Sequence, residues 1–229
     1  GECTPTTTDD EDGDGVVDEC DLCPADADAA QPNSDGDGIG DTCDIGPAGG
    51  DQIAAFFGFN EALSGFAGNL NFETAGGLLR STSLETGREI VTDSAVASGH
   101  LVVFARVRIL QGAGNAGIIG RGRIEGGESA QTPSGWYCSI RVDEDGNSFS
   151  RLYSLEQRVA TDLVGNSLAS FSYGQTWTMT LTANGNDLRC ELTGPNGSDV
   201  ITRTSSKHDG ALIGVRTSSA RAEWDYLVV

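Results

Sequence analysis

Thr176-Trp177-Thr178-Met179-Thr180-Leu181-Thr182 alternates apolar and polar side chains without a break. A β-strand turns successive side chains to opposite faces, so Trp177, Met179 and Leu181 share one face and the threonines the other. The same period runs outward along the chain. Val103, Ala105, Val107 and Ile109 alternate with Phe104, Arg106 and Arg108. Leu188, Cys190 and Leu192 share a face, and Trp224, Tyr226 and Val228 are expected to share another. Asp145-Gly146, Asn184-Gly185 and Pro195-Asn196-Gly197 carry turn chemistry between such runs. No long helical period occurs. About twelve or more short strands in roughly 180 residues predict an all-β, antiparallel two-sheet sandwich over 51–229.

The first part of the chain obeys different physics. No Lys or Arg precedes Arg80, and residues 1–50 hold 15 of the 34 acids. Residues 51–229 hold the other 19 acids against all 14 cationic residues. An uncompensated segment this acidic repels itself and becomes compact only when cations neutralise it. The overall balance excludes nucleic acid as a partner, because its phosphates would be repelled. Domains are expected at 1–46 and 51–229, joined by a linker over 47–50 (Pro47-Ala48-Gly49-Gly50).

Cys3, Cys20, Cys23, Cys43, Cys138 and Cys190 make an even set of six. Four lie in the acidic part, which has little apolar material for a core. Such modules need metal, disulfides or both, and the count points to an oxidising compartment. Cys20-x-x-Cys23 as half of a zinc site is the alternative, but no second pair follows and His100 and His208 are distant. No apolar run reaches membrane-spanning length. The start at Gly1 without Met fits a processed, extracellular protein, and a trimmed chain would begin the same way.

Asp10-Glu11-Asp12-Gly13-Asp14-Gly15-Val16-Val17-Asp18-Glu19-Cys20-Asp21 reads as a twelve-residue loop with oxygen ligands at Asp10, Asp12, Asp14, Asp18 and Asp21. Gly15 allows a sharp bend and the Val16 carbonyl can face inward. The frame recurs with Asn33, Asp35, Asp37, Asp41 and Asp44, and with the Ile39 carbonyl. Calcium takes six to eight hard oxygen ligands in a flexible shell, which this spacing can wrap. A solvated acidic tail is the bland alternative. No amphipathic helices flank the loops, so they are not EF-hands. Cys23-Pro24, Asp28, Gln31, Asn33, Asp35, Asp37-Gly38, Gly40-Asp41 and Cys43-Asp44 instead resemble the thrombospondin type 3 repeat over roughly residues 9–45. Asp28 and Asn33 depart from the usual residues but keep an oxygen. The resemblance implies a chain wrapped around two or more calcium ions with little regular secondary structure. It also implies a Cys23–Cys43 disulfide, which leaves Cys3 with Cys20 as the simplest remaining pair. A further ion near Asp26 and Asp28 is expected.

Residues 51–229 resemble the concanavalin A-like jelly roll of laminin G-like and glucanase-like domains. The resemblance rests on Gly214-Val215-Arg216-Thr217, then Ala222 to Val229 with its Trp224-Asp225-Tyr226, and on Gly174-Gln175-Thr176-Trp177 through Asn184-Gly185 to Cys190. In several such families the matching aspartate, here Asp225, helps hold calcium against the first strand. An outward polar residue is the alternative. Cys138 and Cys190, on apolar faces, are expected to form a disulfide between neighbouring strands; two buried thiols are the alternative.

Gly112-Ala113-Gly114-Asn115-Ala116-Gly117 spells the dinucleotide fingerprint, but a second strand follows where a helix is required. It reads as a glycine-rich hairpin loop. No G-x-S-x-G occurs, and neither histidine has an evident serine or cysteine partner. The Glu-x-Asp-x-x-Glu of retaining glucanases is absent. Glu125, Glu128, Glu144 and Glu156 remain as scattered acids. Arg106, Arg108, Arg121, Arg123, Arg141 and Arg151, with Tyr153, Phe149 and Tyr173 near, are expected to gather in part on one sheet face. That face is either a solvated surface or a groove for an acidic glycan or a neighbour's acidic segment. Asn196-Gly197-Ser198 is a glycosylation sequon on a turn.

These residues predict an extracellular, calcium-binding, non-enzymatic binding or adhesion protein whose jelly roll recognises carbohydrate or matrix. The alternatives are a self-assembling subunit, with the acidic module docked on a neighbour to form a filament or surface layer, and a glycanase.

Overall fold

The computed structural model describes residues 3–44, 52–68, 71–96, 99–125, 132–156, 159–168 and 171–229. The expected linker over 47–50 and the candidate acid Glu128 lie outside them, as does the side chain of Glu125. The described strands are β1 (Phe56–Phe57), β2 (Phe66–Gly68), β3 (Phe72–Thr74), β4 (Leu79–Ser81), β5 (Arg88–Thr92), β6 (Leu101–Gln111), β7 (Asn115–Glu125), β8 (Thr132–Val142), β9 (Ser148–Glu156), β10 (Val159–Ser167), β11 (Thr176–Asn184), β12 (Asp187–Gly194), β13 (Gly197–Thr204), β14 (Leu212–Ser218) and β15 (Arg221–Val228). They build an antiparallel jelly-roll sandwich. One sheet runs β13-β12-β11-β6-β15-β4-β3, with β1 on β15, and the other β10-β9-β8-β7-β14-β5-β2.

The alternation sets the core. Trp177, Met179 and Leu181 pair across β11 and β6 with Val107, Ala105 and Val103, and all six are buried between the sheets. Ile118, Trp136, Cys138, Ile140, Leu152, Ile213 and Val215 meet them from the other sheet. Burying a side chain of this size is worth roughly 1.5–3 kcal/mol. The turns at Asp143–Asn147, Gly185-Asn186 and Pro195-Asn196 close hairpins as the sequence predicts.

Three expectations change. Trp224, Tyr226 and Val228 do not share a face, because the register with β6 shifts between Trp224 and Tyr226. This bulge at Asp225 sends Trp224 into the core and turns Tyr226 and Val228 outward opposite Arg106 and Phe104. One extra residue in a period of two flips everything beyond it. Gly112–Gly114 is not a hairpin loop, because β6 and β7 belong to different sheets. It is an arch between sheets, and side chains at Gly112 and Gly114 would run into the backbone of Ser218 to Ala220. The disulfide Cys138–Cys190 joins β8 to β12, so it spans the two sheets rather than neighbouring strands.

Residues 3–44 contain one short 3-10 turn, Asp18–Cys20, and no strand. Cys3–Cys20 and Cys23–Cys43 staple them. The module packs on the outer face of β6 and β15 of its own chain. The Asn60 amide donates to Glu11 Oε2 (3.1 Å), and Arg106 donates to the Ala25 carbonyl (3.4 Å) and lies 3.8 Å from Asp26. Tyr226 points outward yet is only 1% exposed, with Phe56, Phe104 and Arg106 around its ring. An apolar cleft of about 300 Å³ remains at this junction, between Ile39, Pro24 and the Cys23–Cys43 bridge on one side and Phe104, Val102 and Val228 on the other. The sandwich opens and closes at one place: Ala54 N–H donates to the Val229 carbonyl (2.6 Å) and Val229 N–H to that of Ala55 (3.0 Å).

Candidate functional site

The two aspartate-rich loops fold alike. In the first, Asp10 Oδ1 accepts from Gly13 N–H (2.8 Å), Asp12 Oδ1 from Asp14 N–H (3.1 Å), Asp14 Oδ1 from Val16 N–H (2.8 Å) and Asp18 Oδ1 from Glu11 N–H (2.9 Å). In the second, Asn33 accepts from Gly36 (2.6 Å), Asp35 from Asp37 (3.2 Å), Asp37 from Ile39 (2.8 Å) and Asp41 from Ser34 (2.6 Å). Gly13 and Gly36 both sit at φ +78°, which side chains rarely adopt. The side chains are thus drawn inward around each turn by their own backbone.

The first loop fits a hard cation. Oxygens of Asp10, Asp12 and Asp14 lie within 4.8 Å of one another. Asp12 Oδ2 and Asp28 Oδ2 are buried without a hydrogen-bond partner. Burial, with Asp14, Asp21 and Asp10 adding repulsion, pushes the Asp12 carboxyl up to about 6. Asp28 joins this loop through its N–H, which donates to Asp14 Oδ2 (2.8 Å), and Asp21 Oδ1 accepts from Cys23 N–H and Gln31 Nε2, both at 2.7 Å. Like charges crowded beside unpaired oxygens are what a divalent ion would relieve. In the second loop Asn33 replaces the first carboxylate. There the Ser34 hydroxyl holds Asp41 below the usual carboxylate range. Asp44 closes this loop, its N–H donating to the Gly40 carbonyl (2.9 Å). Asp26, expected near a further ion, faces Arg106, and burial raises its carboxyl.

Asp225, expected as a calcium ligand against the first strand, faces two arginines. Its carboxylate lies 2.9 Å from Arg108 and 3.9 Å from Arg106, so two guanidinium groups already answer its charge. Burial raises this carboxyl despite those cations. Glu223 beside it pairs with Arg80 (2.8 Å) and Arg108 (3.4 Å). Glu11 meets the same network from the module; burial, opposed by the Asn60 bond, lifts it to about 7.

The six arginines do not form one groove. Arg106 and Arg108 lie on the outer face of one sheet, Arg141 and Arg151 on that of the other, because β6 and β8 belong to different sheets. Arg121, at φ +50° in a bulge, donates to the carbonyls of Gly185, Gly99 and Ala183 and is structural. Arg123 pairs with Asp209. Arg151 stacks 4.4 Å over Phe149. His208, expected to lack a serine partner, lies 2.9 Å from Ser154 Oγ and edge-on to Trp136. Both are buried inside the sandwich, and sequence gave no signal for a pair 54 residues apart.

A polar pocket of about 540 Å³ opens where the β8–β9 turn meets the inter-sheet arch. Tyr153, Arg141, Asn115 and Ser218 line it from the outer sheet face, and Asp143, Glu144 and Asp145 from the turn. Beneath it Tyr137 stacks on Tyr153 (5.8 Å) and donates to Asn115 Oδ1 (3.0 Å), and a buried Glu89–Arg216 pair (3.3 Å) fixes the same row. Of the candidate glycanase acids, Glu144 lies here and Glu156 pairs with Lys207 (3.1 Å) elsewhere.

No protein-family model and no curated protein matches the sequence. Solved structures match the fold. The sandwich is similar to the CBM2 module of the evolved Dit of Lactobacillus casei BL23 phage J-1, at 14% identity and TM-score 0.55, over 77% of this chain and 94% of that one. It is similar to the exoplasmic/lumenal domain of VIP36 in its Ca2+/Man3GlcNAc-bound form, at 12% identity and TM-score 0.52, over 71% and 81%. It is also similar to GH43B of the Bacteroides ovatus xyloglucan locus, at 13% identity and TM-score 0.52, over 84% of this chain but 43% of that one. Likeness at such identities establishes the fold alone.

Proposed function

We propose that this is an extracellular, calcium-dependent, non-enzymatic carbohydrate-binding protein. The observation that carries the reading is the pocket beside Tyr153. Planar hydrogen-bonding groups (Asn115, Arg141, Asp143) and hydroxyls (Ser218, Ser219) converge there over the edge of the largely buried Tyr153 ring. Sugars present hydroxyl rims and apolar faces, and such a set answers both. The VIP36 domain, solved with Ca2+ and Man3GlcNAc bound, and the CBM2 module support it through shared fold only. The acidic module, which resembles thrombospondin type 3 repeats over roughly residues 9–45, holds two or more calcium ions through the two loops. Calcium there supplies the positive charge the carboxylates lack. Three disulfides, Cys3–Cys20, Cys23–Cys43 and Cys138–Cys190, support an oxidising, extracellular setting.

A glycan array in millimolar calcium tests the reading, with Tyr153→Ala and Asn115→Ala as variants. Binding that falls at least tenfold in both variants is expected. No glycan above background on correctly oxidised protein sinks the proposal. Adhesion to matrix would act through the same pocket and fail with it.

A further inference from the structure

We propose that the pocket beside Tyr153 is one subsite of two, and that Tyr173, across the inter-sheet arch, holds the apolar face of a second, uncharged sugar unit of the same chain. The inference rests on the carbohydrate-binding reading and deepens it: the ligand is a neutral oligosaccharide, not a single terminal sugar.

Leu84, Leu110, Val159 and Tyr173 are the exposed large apolar side chains among the described residues. Single ones are ordinary on any surface, whereas a group of them marks an interaction site. Val159 starts the edge strand β10. The other three meet at Gly112. The Tyr173 hydroxyl donates to the Gly112 carbonyl (3.0 Å). Leu110 stands two residues before Gly112, at the end of the outward row of β6. Leu84 Cδ2 lies 3.0 Å from the point that a Cβ on Gly112 would occupy.

Tyr173 is held as a platform. Its ring is 47% exposed, yet its hydroxyl is anchored and Phe171 packs edge-on to it (5.5 Å), itself stacked on Trp177 of the core (6.3 Å). Gly174 N–H donates to the Ile109 carbonyl (2.8 Å), and Gln175 Oε1 accepts from Ser172 N–H (2.9 Å), so the turn carrying the ring is bonded on both sides. A ring already immobilised costs little further entropy when a ligand covers it.

The arch joins this patch to the pocket. Gly112 takes the Tyr173 hydroxyl, and Ala113 and Gly114, next in the chain, line the pocket. Two residues of chain span at most about 7 Å, so a short oligosaccharide reaches both places whereas a single ring sits in one. Ser219, another pocket residue, is held at φ +54°, a strained conformation of the kind that collects at binding sites. Its N–H donates to the Glu85 carbonyl (3.1 Å) beside Leu84, and its backbone packs against Gly112 and Gly114. One ridge thus carries polar groups on one flank and apolar groups on the other.

The chemistry of the patch names its occupant. A stable protein interface takes about 800 Å² from each partner, far more than three side chains offer. One tyrosine ring with two leucines suits the bare C–H face of one sugar, whose rim hydroxyls stay in water. An ionised sugar would lose hydration there without gaining a partner, because Glu85 and Arg88 already pair with each other.

Calorimetry in calcium with neutral β-1,4-linked oligosaccharides of glucose and of galactose, from the single sugar to the tetrasaccharide, tests the proposal. Affinity is expected to rise at least tenfold with length in the series that binds. Tyr173→Ala brings the tetrasaccharide down to the affinity of the single sugar. Tyr173→Phe, which keeps the ring and loses only the bond to Gly112, retains most of the gain, and Val159→Ala keeps all of it. Equal affinity at every length, a length gain that survives Tyr173→Ala, or binding by neither series overturns this inference. Only silence of the whole glycan array takes the carbohydrate reading down with it.

Discussion

Arg108 and Asp225 face each other at 2.9 Å across β6 and β15, at the bulge that reverses the outward order of the last strand. The bulge gives Asp225 an orientation that regular alternation would not, and the guanidinium explains why a carboxylate is kept there. Asp225→Asn should leave the number of bound calcium ions unchanged and cost about 1–2 kcal/mol of sandwich stability, since one partner of a half-buried pair is lost. Calorimetric stoichiometry with urea melts checks both; loss of one ion from the count would return Asp225 to the metal ligands.

Asp12→Ala should remove the first loop's ion and leave the second loop's. The expected result is one fewer calcium per chain, with all three disulfides still formed by mass under non-reducing conditions. An unchanged count would show that the first loop holds no metal.

Calcium and protons should compete at Asp12. Its carboxyl sits near 6 without metal, so the crowded loop favours the protonated form below that pH, and calcium requires the ionised form. The apparent affinity is expected to drop at least tenfold between pH 7 and pH 5, with proton release on binding near pH 6. A flat profile would contradict the crowding described here.

Chelation should loosen residues 9–44 and spare the sandwich. At millimolar calcium, a site with a dissociation constant near 0.1 mM adds roughly 1.4 kcal/mol, and several such sites hold a segment that has no apolar core. Limited proteolysis with and without EDTA, read by mass, distinguishes the two parts. Equal resistance of the segment in both conditions would mean its two disulfides suffice.

Removing the inter-sheet bridge with Cys138→Ala and Cys190→Ala should lower stability by about 4 kcal/mol on loop-entropy grounds, for a sequence separation of 52. Thermal melts at matched calcium measure it. A loss below about 1 kcal/mol would show that packing around Trp136 and Leu181 already clamps the sheets.

Much of the fold was legible because local rules sufficed. Period-two alternation placed Val103 to Ile109 and Leu188 to Leu192 inward, and Asp-Gly and Asn-Gly marked true hairpins. The loop frames were legible because their hydrogen bonds span two to seven residues. What escaped depends on distant partners. Nothing local announces that β6 and β7 lie in different sheets, that the Asp225 bulge turns Tyr226 outward, or that His208 meets Ser154. The acidic module's seat on Arg106 is likewise a contact across 80 or so positions, and strand pattern alone cannot divide arginines between two faces.

The shared hydrogen bonds of Ala54, Ala55 and Val229 put the sandwich's entry and exit side by side. Traction applied through those two points would open the short β1–β15 ribbon bond by bond before it reached the pairing of β15 with β4 and β6. The pocket at β7, β8 and β9 belongs to the other sheet and so lies off the line of that first opening.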